Sequence, residues 1–156
     1  MSKRTAFAVL AAFAVAAAGA YEVSAQDAST RYGQWWLDGS TPPPAVNIMT
    51  YEPWGDGGMS ITIEATNGRG GESSWGYNTM FDGEFREVWG QEGSQTAVEW
   101  VDERTTRISN MRNGRVTQVI INTLSEDGQT IENEYIRLDA EGKITGVGHA
   151  TYRRIN

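Results

Sequence analysis

The chain contains no cysteine and one histidine, His149, among its 156 residues. The first absence excludes disulfides, a thiol nucleophile and a lipid attached through an N-terminal cysteine, so a core alone must supply stability. The single histidine leaves no ordinary zinc ligand set and little support for a serine–histidine–acid triad. None of the Asp-Gly turns has the Asp-x-Asp-x-Asp-Gly spacing of a calcium loop. Basic residues are outnumbered, 13 Lys and Arg against 20 Asp and Glu, for a net charge of −7. That balance argues against binding nucleic acid through its phosphates. Proline is scarce, 4 residues in all, and three form Pro42-Pro43-Pro44, which predicts a stiff extended link.

What is present begins with an export signal by pattern. Lys3-Arg4 gives a basic start, Thr5 to Ala20 an apolar run, and Val23-Ser24-Ala25 small residues where a signal peptidase cleaves. The run is short against the roughly 20 residues of a membrane span. The expectation is a signal peptide over 1–25, a single domain over 26–156, and a periplasmic or secreted location.

No stretch after residue 25 places apolar residues at helical spacing over three turns. Instead a polar residue precedes glycine at near-even intervals: Asp56-Gly57, Asn67-Gly68, Asp82-Gly83, Glu92-Gly93, Asn113-Gly114, Asp127-Gly128 and Glu141-Gly142. Such pairs favour tight hairpin turns. Between them the spacing predicts strands over 33–38, 45–52, 59–66, 73–81, 85–89, 95–101, 105–111, 115–124, 130–138 and 144–154. Met59-Ser60-Ile61-Thr62-Ile63-Glu64 alternates as a half-buried strand should. The fold class is therefore all-β: an antiparallel up-and-down meander of eight to ten strands, closed into a barrel to remove its free edges. Strand charges at Glu64, Arg107, Glu132, Glu134, Arg137 and Arg153 oppose the apolar outer belt of a membrane barrel, which favours a water-soluble one.

The first strand opens Tyr32-Gly33-Gln34-Trp35-Trp36-Leu37, and the last ends Tyr152-Arg153-Arg154. A Gly-x-Trp at the start of a meander that ends in arginine resembles lipocalins and the related fatty-acid-binding proteins. The resemblance is closer to a group of small exported bacterial lipocalin-like proteins, largely uncharacterised. Elements shared with that group look like Gly33-Gln34-Trp35-Trp36-Leu37, Thr50-Tyr51-Glu52-Pro53-x-Gly55-Asp56-Gly57 and Trp75-x-Tyr77. Further ones are Phe81-Asp82-Gly83, Asp102-x-Arg104-Thr105, Leu124-Ser125-x-Asp127-Gly128-x-Thr130 and Asp139-Ala140-x-Gly142-Lys143. The resemblance implies a barrel plugged at one end by Trp35, with Arg153 or Arg154 stacked on its indole.

Three functions fit such a barrel. The leading one is binding of a small apolar or aromatic molecule, with or without a carboxylate, against Trp75, Tyr77, Trp100 and Tyr135. Tyr135-x-Arg137 and Tyr152-x-Arg154 put each tyrosine beside an arginine on one face, so Arg137 and Arg154 are candidates to hold a ligand's acid group. The equivalent pair of the fatty-acid-binding proteins runs Arg-x-Tyr. The second function is a cofactor-independent isomerase, cyclase or lyase using the same pocket, with His149, Tyr135, Tyr152 and Arg137 as acid, base and orienting groups. It requires a bulge near Gly146 or Gly148 to turn His149 inward, because plain alternation sets it opposite Tyr152. The third is an envelope interaction protein with a filled barrel and outward Trp36, Trp54 and Trp89 as contact patch. Asn47, Asn78, Asn122 and Asn133, disfavoured in strands, mark either a polar pocket or solvent-facing positions. No cofactor and no metal are expected. Interior volume separates the first two functions from the third.

Overall fold

In a computed structural model the described residues are 26–39 and 45–155. The export signal and Pro42-Pro43-Pro44 lie outside them. A one-turn 3-10 helix, Ala28–Arg31, is started by Asp27, whose carboxylate accepts from Ser29 N at 2.8 Å. Ten strands follow: β1 (Gly33–Asp38), β2 (Val46–Trp54), β3 (Gly58–Thr66), β4 (Glu72–Thr79), β5 (Arg86–Glu87), β6 (Ser94–Trp100), β7 (Thr105–Arg112), β8 (Arg115–Leu124), β9 (Thr130–Leu138) and β10 (Ile144–Arg154). They form one sheet in the order β4-β3-β2-β1-β10-β9-β8-β7-β6-β5. Every neighbour is the next strand in sequence except at β1–β10, where the two ends of the chain pair antiparallel. The result is a ten-stranded up-and-down sheet nearly closed into a lipocalin-like barrel.

The turn chemistry explains the meander. At Asn113-Gly114 both residues have positive φ, 49° and 76°, the backbone of the tight hairpin turn that Asn-Gly favours. At Asn67-Gly68 the geometry differs from a plain Asn-Gly turn. The Asn67 side chain accepts from the backbone N–H of Arg69 and Gly71 at 2.9 and 3.0 Å, and Gly70 takes the positive φ.

Register fixes the inward face. Trp35 lies opposite Met49 and Arg154, Tyr51 opposite Ile61, and Tyr135 opposite Ile120 and Gly148. The core is accordingly Trp35, Met49, Tyr51, Ile61, Ile63, Tyr77, Val98, Ile108, Ile120, Leu124, Ile131 and Tyr152. Alternation puts Glu64, Glu132, Glu134, Arg107 and Arg153 outward, so the outer face carries mid-strand charge that a lipid-facing belt would not. Arg137 departs from this set: it shares its face with Tyr135 and points inward.

The remaining seam lies between β4 and the end of β5. The expected strand 85–89 is ladder-paired to β6 only at Arg86 and Glu87, because the chain then changes partner. Gly76 N–H donates to Trp89 O at 3.2 Å and Trp89 N–H to Gly76 O at 2.9 Å. The two chains approach this closely because position 76 has no side chain. A Cβ there would overlap both the Ile61 carbonyl oxygen and the Trp89 indole. Gly76→Ala should therefore destabilise the fold by about 1–3 kcal/mol in denaturant unfolding, the usual cost of overpacking. Gly68→Ala, where nothing lies within 4 Å of the added carbon, should stay within about 0.5 kcal/mol of wild type.

Candidate functional site

One end of the barrel is shut. Trp35 is fully buried and its indole N–H donates to Arg31 O at 3.0 Å. Of the two terminal arginines it is Arg154 that covers the ring, its guanidinium carbon 4.1 Å from the ring centroid. Its nitrogens donate to the carbonyls of Gly128, Tyr32 and Thr30 at 2.8, 2.7 and 2.8 Å. Arg153, one residue earlier and on the opposite face, pairs outside with Asp38 at 2.6 Å. The assignment of Arg154 to a ligand is corrected by these contacts: all three of its nitrogens are engaged with backbone below the interior.

The other end is open. Inward residues near the turns at 90–94, 112–115 and 138–144 surround a cavity of about 390 Å³, lined among others by Trp75, Val88, Thr96, Asn110, Gln118 and Arg137. Trp75 and Arg137 thus stand at the mouth. Arg137 is exposed and takes part in none of the ion pairs among the described residues. Tyr77 and Tyr135 lie one inward step deeper, on β4 and β9 respectively. Trp100 lies at the floor, stacked on Phe81 with ring centroids 4.5 Å apart. The lower interior is packed with core side chains, while the upper part is cavity.

His149 does not join this group. The register irregularity in β10 falls between Ile144 and Gly146, upstream of the histidine, so strict alternation holds from there to Arg154. His149 is exposed on the outer face opposite Glu134. Plain alternation therefore holds at His149, and the inward turn that the enzyme reading requires is not made. Glu132 and Glu134 share that outer face, and Glu132 accepts from Thr151 at 2.7 Å.

The residue that the sequence did not single out is Arg31. Its position in a one-turn helix has no periodicity to reveal which way it points. The structure buries it to 1% exposure beneath the floor. Its terminal nitrogens donate to Asn122 Oδ1 and to the Arg104 carbonyl, and its charge lies 5.4 Å from the Trp100 ring centroid. From Asn122 a chain of hydrogen bonds climbs the interior: Asn122 Nδ2 donates to Asn133 Oδ1 at 2.7 Å, and Asn133 Nδ2 to the Tyr135 hydroxyl at 3.1 Å. Two of the five strand asparagines thus form a buried polar path. Asn47 also faces inward by register, its Oδ1 buried without a partner, whereas Asn78 faces outward opposite Ser60.

Three phenols of this interior, those of Tyr51, Tyr77 and Tyr152, are hard to ionise. Burial pushes Tyr51 up to about 12, although the Arg31 charge works in the other direction. Burial, and then neighbouring tyrosines, push Tyr77 and Tyr152 well above the usual phenol range. At neutral pH these groups are hydrogen-bond donors, not bases. Unfolded tyrosines ionise near pH 10 while the folded ones resist, so above that pH the folded chain binds more protons. Stability should be full below about pH 10 and fall above it, by about 1.4 kcal/mol per pH unit for each buried phenol. Tyrosinate absorbance against pH, beside circular dichroism, checks this: the buried fraction should ionise only together with unfolding.

No family model and no curated protein matches the chain. Solved structures do. The fluorescent protein UnaG aligns with 11% identity over 81% of this chain and 98% of its own, at a TM-score of 0.57. A point mutant of it aligns with 12% identity over 82% and 98%, at 0.58. At such identities the likeness is one of fold: this chain shares the barrel of that protein.

Proposed function

We propose that the chain is an exported binding barrel for a small apolar or aromatic molecule, taken up through the mouth at Trp75 and Arg137. The observation that carries this is the cavity of about 390 Å³, within the 300–1,000 Å³ or so of small-molecule sites. It opens above an inward face that passes from amides and hydroxyls at the rim to Ile120, Ile108 and Tyr77 below. Burial of the ligand's apolar surface, at about 25 cal/mol per Å², drives binding. The polar rim and Arg137 fix its orientation. Export rests on the basic, apolar and small-residue pattern of residues 3–25.

The enzyme reading loses its general base with His149 outside and the Tyr152 phenol held protonated by burial. The contact-patch reading loses its coherence. Trp36 opposes Ile48 and Arg153, Trp54 opposes Gly58, and Trp89 lies over Gly76, so the three do not share a row.

Tryptophan fluorescence titrated with a panel of fatty acids and phenolics should show saturable binding by at least one member, with protection against thermal unfolding. Trp75→Ala should weaken that binding about tenfold, a loss of about 1.4 kcal/mol, and His149→Ala should leave it unchanged. A panel that neither shifts the emission nor raises Tm defeats the reading. Expressed in a bacterial host with its full sequence, the chain should be recovered with Gln26 at its N-terminus by intact mass; retention of Met1–Ala25 would refute export by this signal.

A further inference from the structure

The cup at the open end is more polar than an apolar molecule alone requires. Ten of the fourteen described residues that line it carry polar side chains, and none of the fourteen is acidic. A wholly apolar ligand would strip water from these groups and return no hydrogen bond, which costs affinity.

Register sets their order. Thr96 lies opposite Asn110, Asn110 opposite Gln118, and Gln118 opposite Arg137. One polar row therefore crosses β6, β7, β8 and β9 at a single height. Within it Thr96 Oγ1 donates to Asn110 Oδ1 at 2.9 Å, and Asn110 Nδ2 donates to Gln118 Oε1 at 3.0 Å. Each amide oxygen is thus engaged by its neighbour, and the surplus consists of donors. Both N–H groups of Gln118, the second N–H of Asn110 and the Arg137 guanidinium have no acceptor among the described residues. Thr96 Oγ1, having donated, keeps lone pairs that can accept. Trp75, on β4, adds a half-buried indole to the same cup.

We propose that this row and Trp75 form a sugar subsite, and that the ligand is a glycoside. Its pyranose ring sits at the row, and the apolar or aromatic aglycone occupies the rest of the cup. The inference rests on the binding reading and names its ligand class. A sugar hydroxyl both accepts and donates, which suits a wall of surplus amide donors beside a threonine oxygen. Adjacent strands set these groups about 4.8 Å apart, within reach of neighbouring hydroxyls on one ring. The C–H face of a pyranose is flat and apolar, and packs on an indole through dispersion. Arg137 is exposed, so water and salt screen its charge and it serves as one more donor.

The test titrates tryptophan fluorescence with the β-D-glucosides and β-D-galactosides of hexanol and phenol, beside 1-hexanol and phenol themselves, below any micelle concentration. The wild-type chain should bind at least one glycoside about tenfold or more tighter than its aglycone. Gln118→Leu should reduce that preference to about twofold or less while still binding the aglycone. Arg107→Gln, on the outer face, should leave it intact. Should Gln118→Leu fail to fold, the Gln118 side-chain amide resonances of the wild type give the answer: they should move with the glycoside and stay with the aglycone. Equal binding of glycoside and aglycone, or unmoved resonances, overturns the sugar subsite while sparing the binding reading. A preference that survives in Gln118→Leu puts the sugar elsewhere and also overturns it. Silence from these probes while a fatty acid or another phenolic binds overturns the subsite alone; silence from all of them defeats both.

Discussion

The contact between Trp35 and Arg154 is what turns a ribbon of hairpins into a vessel. Eight of the nine ladder pairings simply follow the chain, which leaves the pairing of first with last to be imposed. β1 and β10 are each marked by a residue that needs the other. The indole must be covered, and the guanidinium both covers it and gathers three carbonyls from the 3-10 helix, its exit and the β8–β9 turn. A cation–π contact contributes about 0.5–2 kcal/mol. Hydrogen bonds to a charged donor add about 1.5–3 kcal/mol each before the cost of partial burial. Because these interactions hold the helix against the floor, they also determine where Arg31 sits.

The second seam follows a different rule. At the β4–β5 junction the Trp89 indole lies over Gly76, and closure there depends on position 76 having no side chain. The barrel is thus clamped by a large side-chain stack on one side and by bare backbone on the other. Near the weaker seam Phe81 adopts φ 58°, in the left-handed region that phenylalanine rarely visits. Its ring lies buried against Trp100 and its N–H donates to Thr79 Oγ1 at 2.8 Å. The turn that carries the chain from β4 towards β5 is held by packing at the expense of backbone comfort.

The strands were legible because local chemistry states them twice, once in the Asp-Gly and Asn-Gly turns and once in period-two alternation. Closure was legible from Gly33-x-Trp35 and a terminal arginine. The misreadings come where local pattern stops deciding. At 85–89 the residues look like any short strand, but Trp89 turns from β6 to meet β4, a choice made by the distant Gly76. At His149 everything turned on which side of the histidine the irregularity fell; two glycines, Gly146 and Gly148, allowed either. For Arg154 alternation correctly gave the inward face, but not that the face at that height is occupied by Trp35. Asn122 and Asn133 were visible as oddities in strands, and only register with Tyr135 showed that both look inward. Arg31 carried no signal, since a single helical turn has no repeat.

That last residue also shows what a buried polar group demands of a barrel of this size. A chain without disulfides, reliant on its core, would be expected to fill the floor with another leucine. A well-packed apolar replacement for a buried ion is commonly neutral or stabilising. The floor holds instead a permanent cation, from which two interior asparagines lead up to a tyrosine hydroxyl, and of these groups Arg31 Nε is buried without a partner. Their arrangement in one connected line, from Arg31 through Asn122 and Asn133 to Tyr135, is what a random accumulation of polar substitutions would not produce. Together they give the buried guanidinium the acceptors that an apolar floor could not supply.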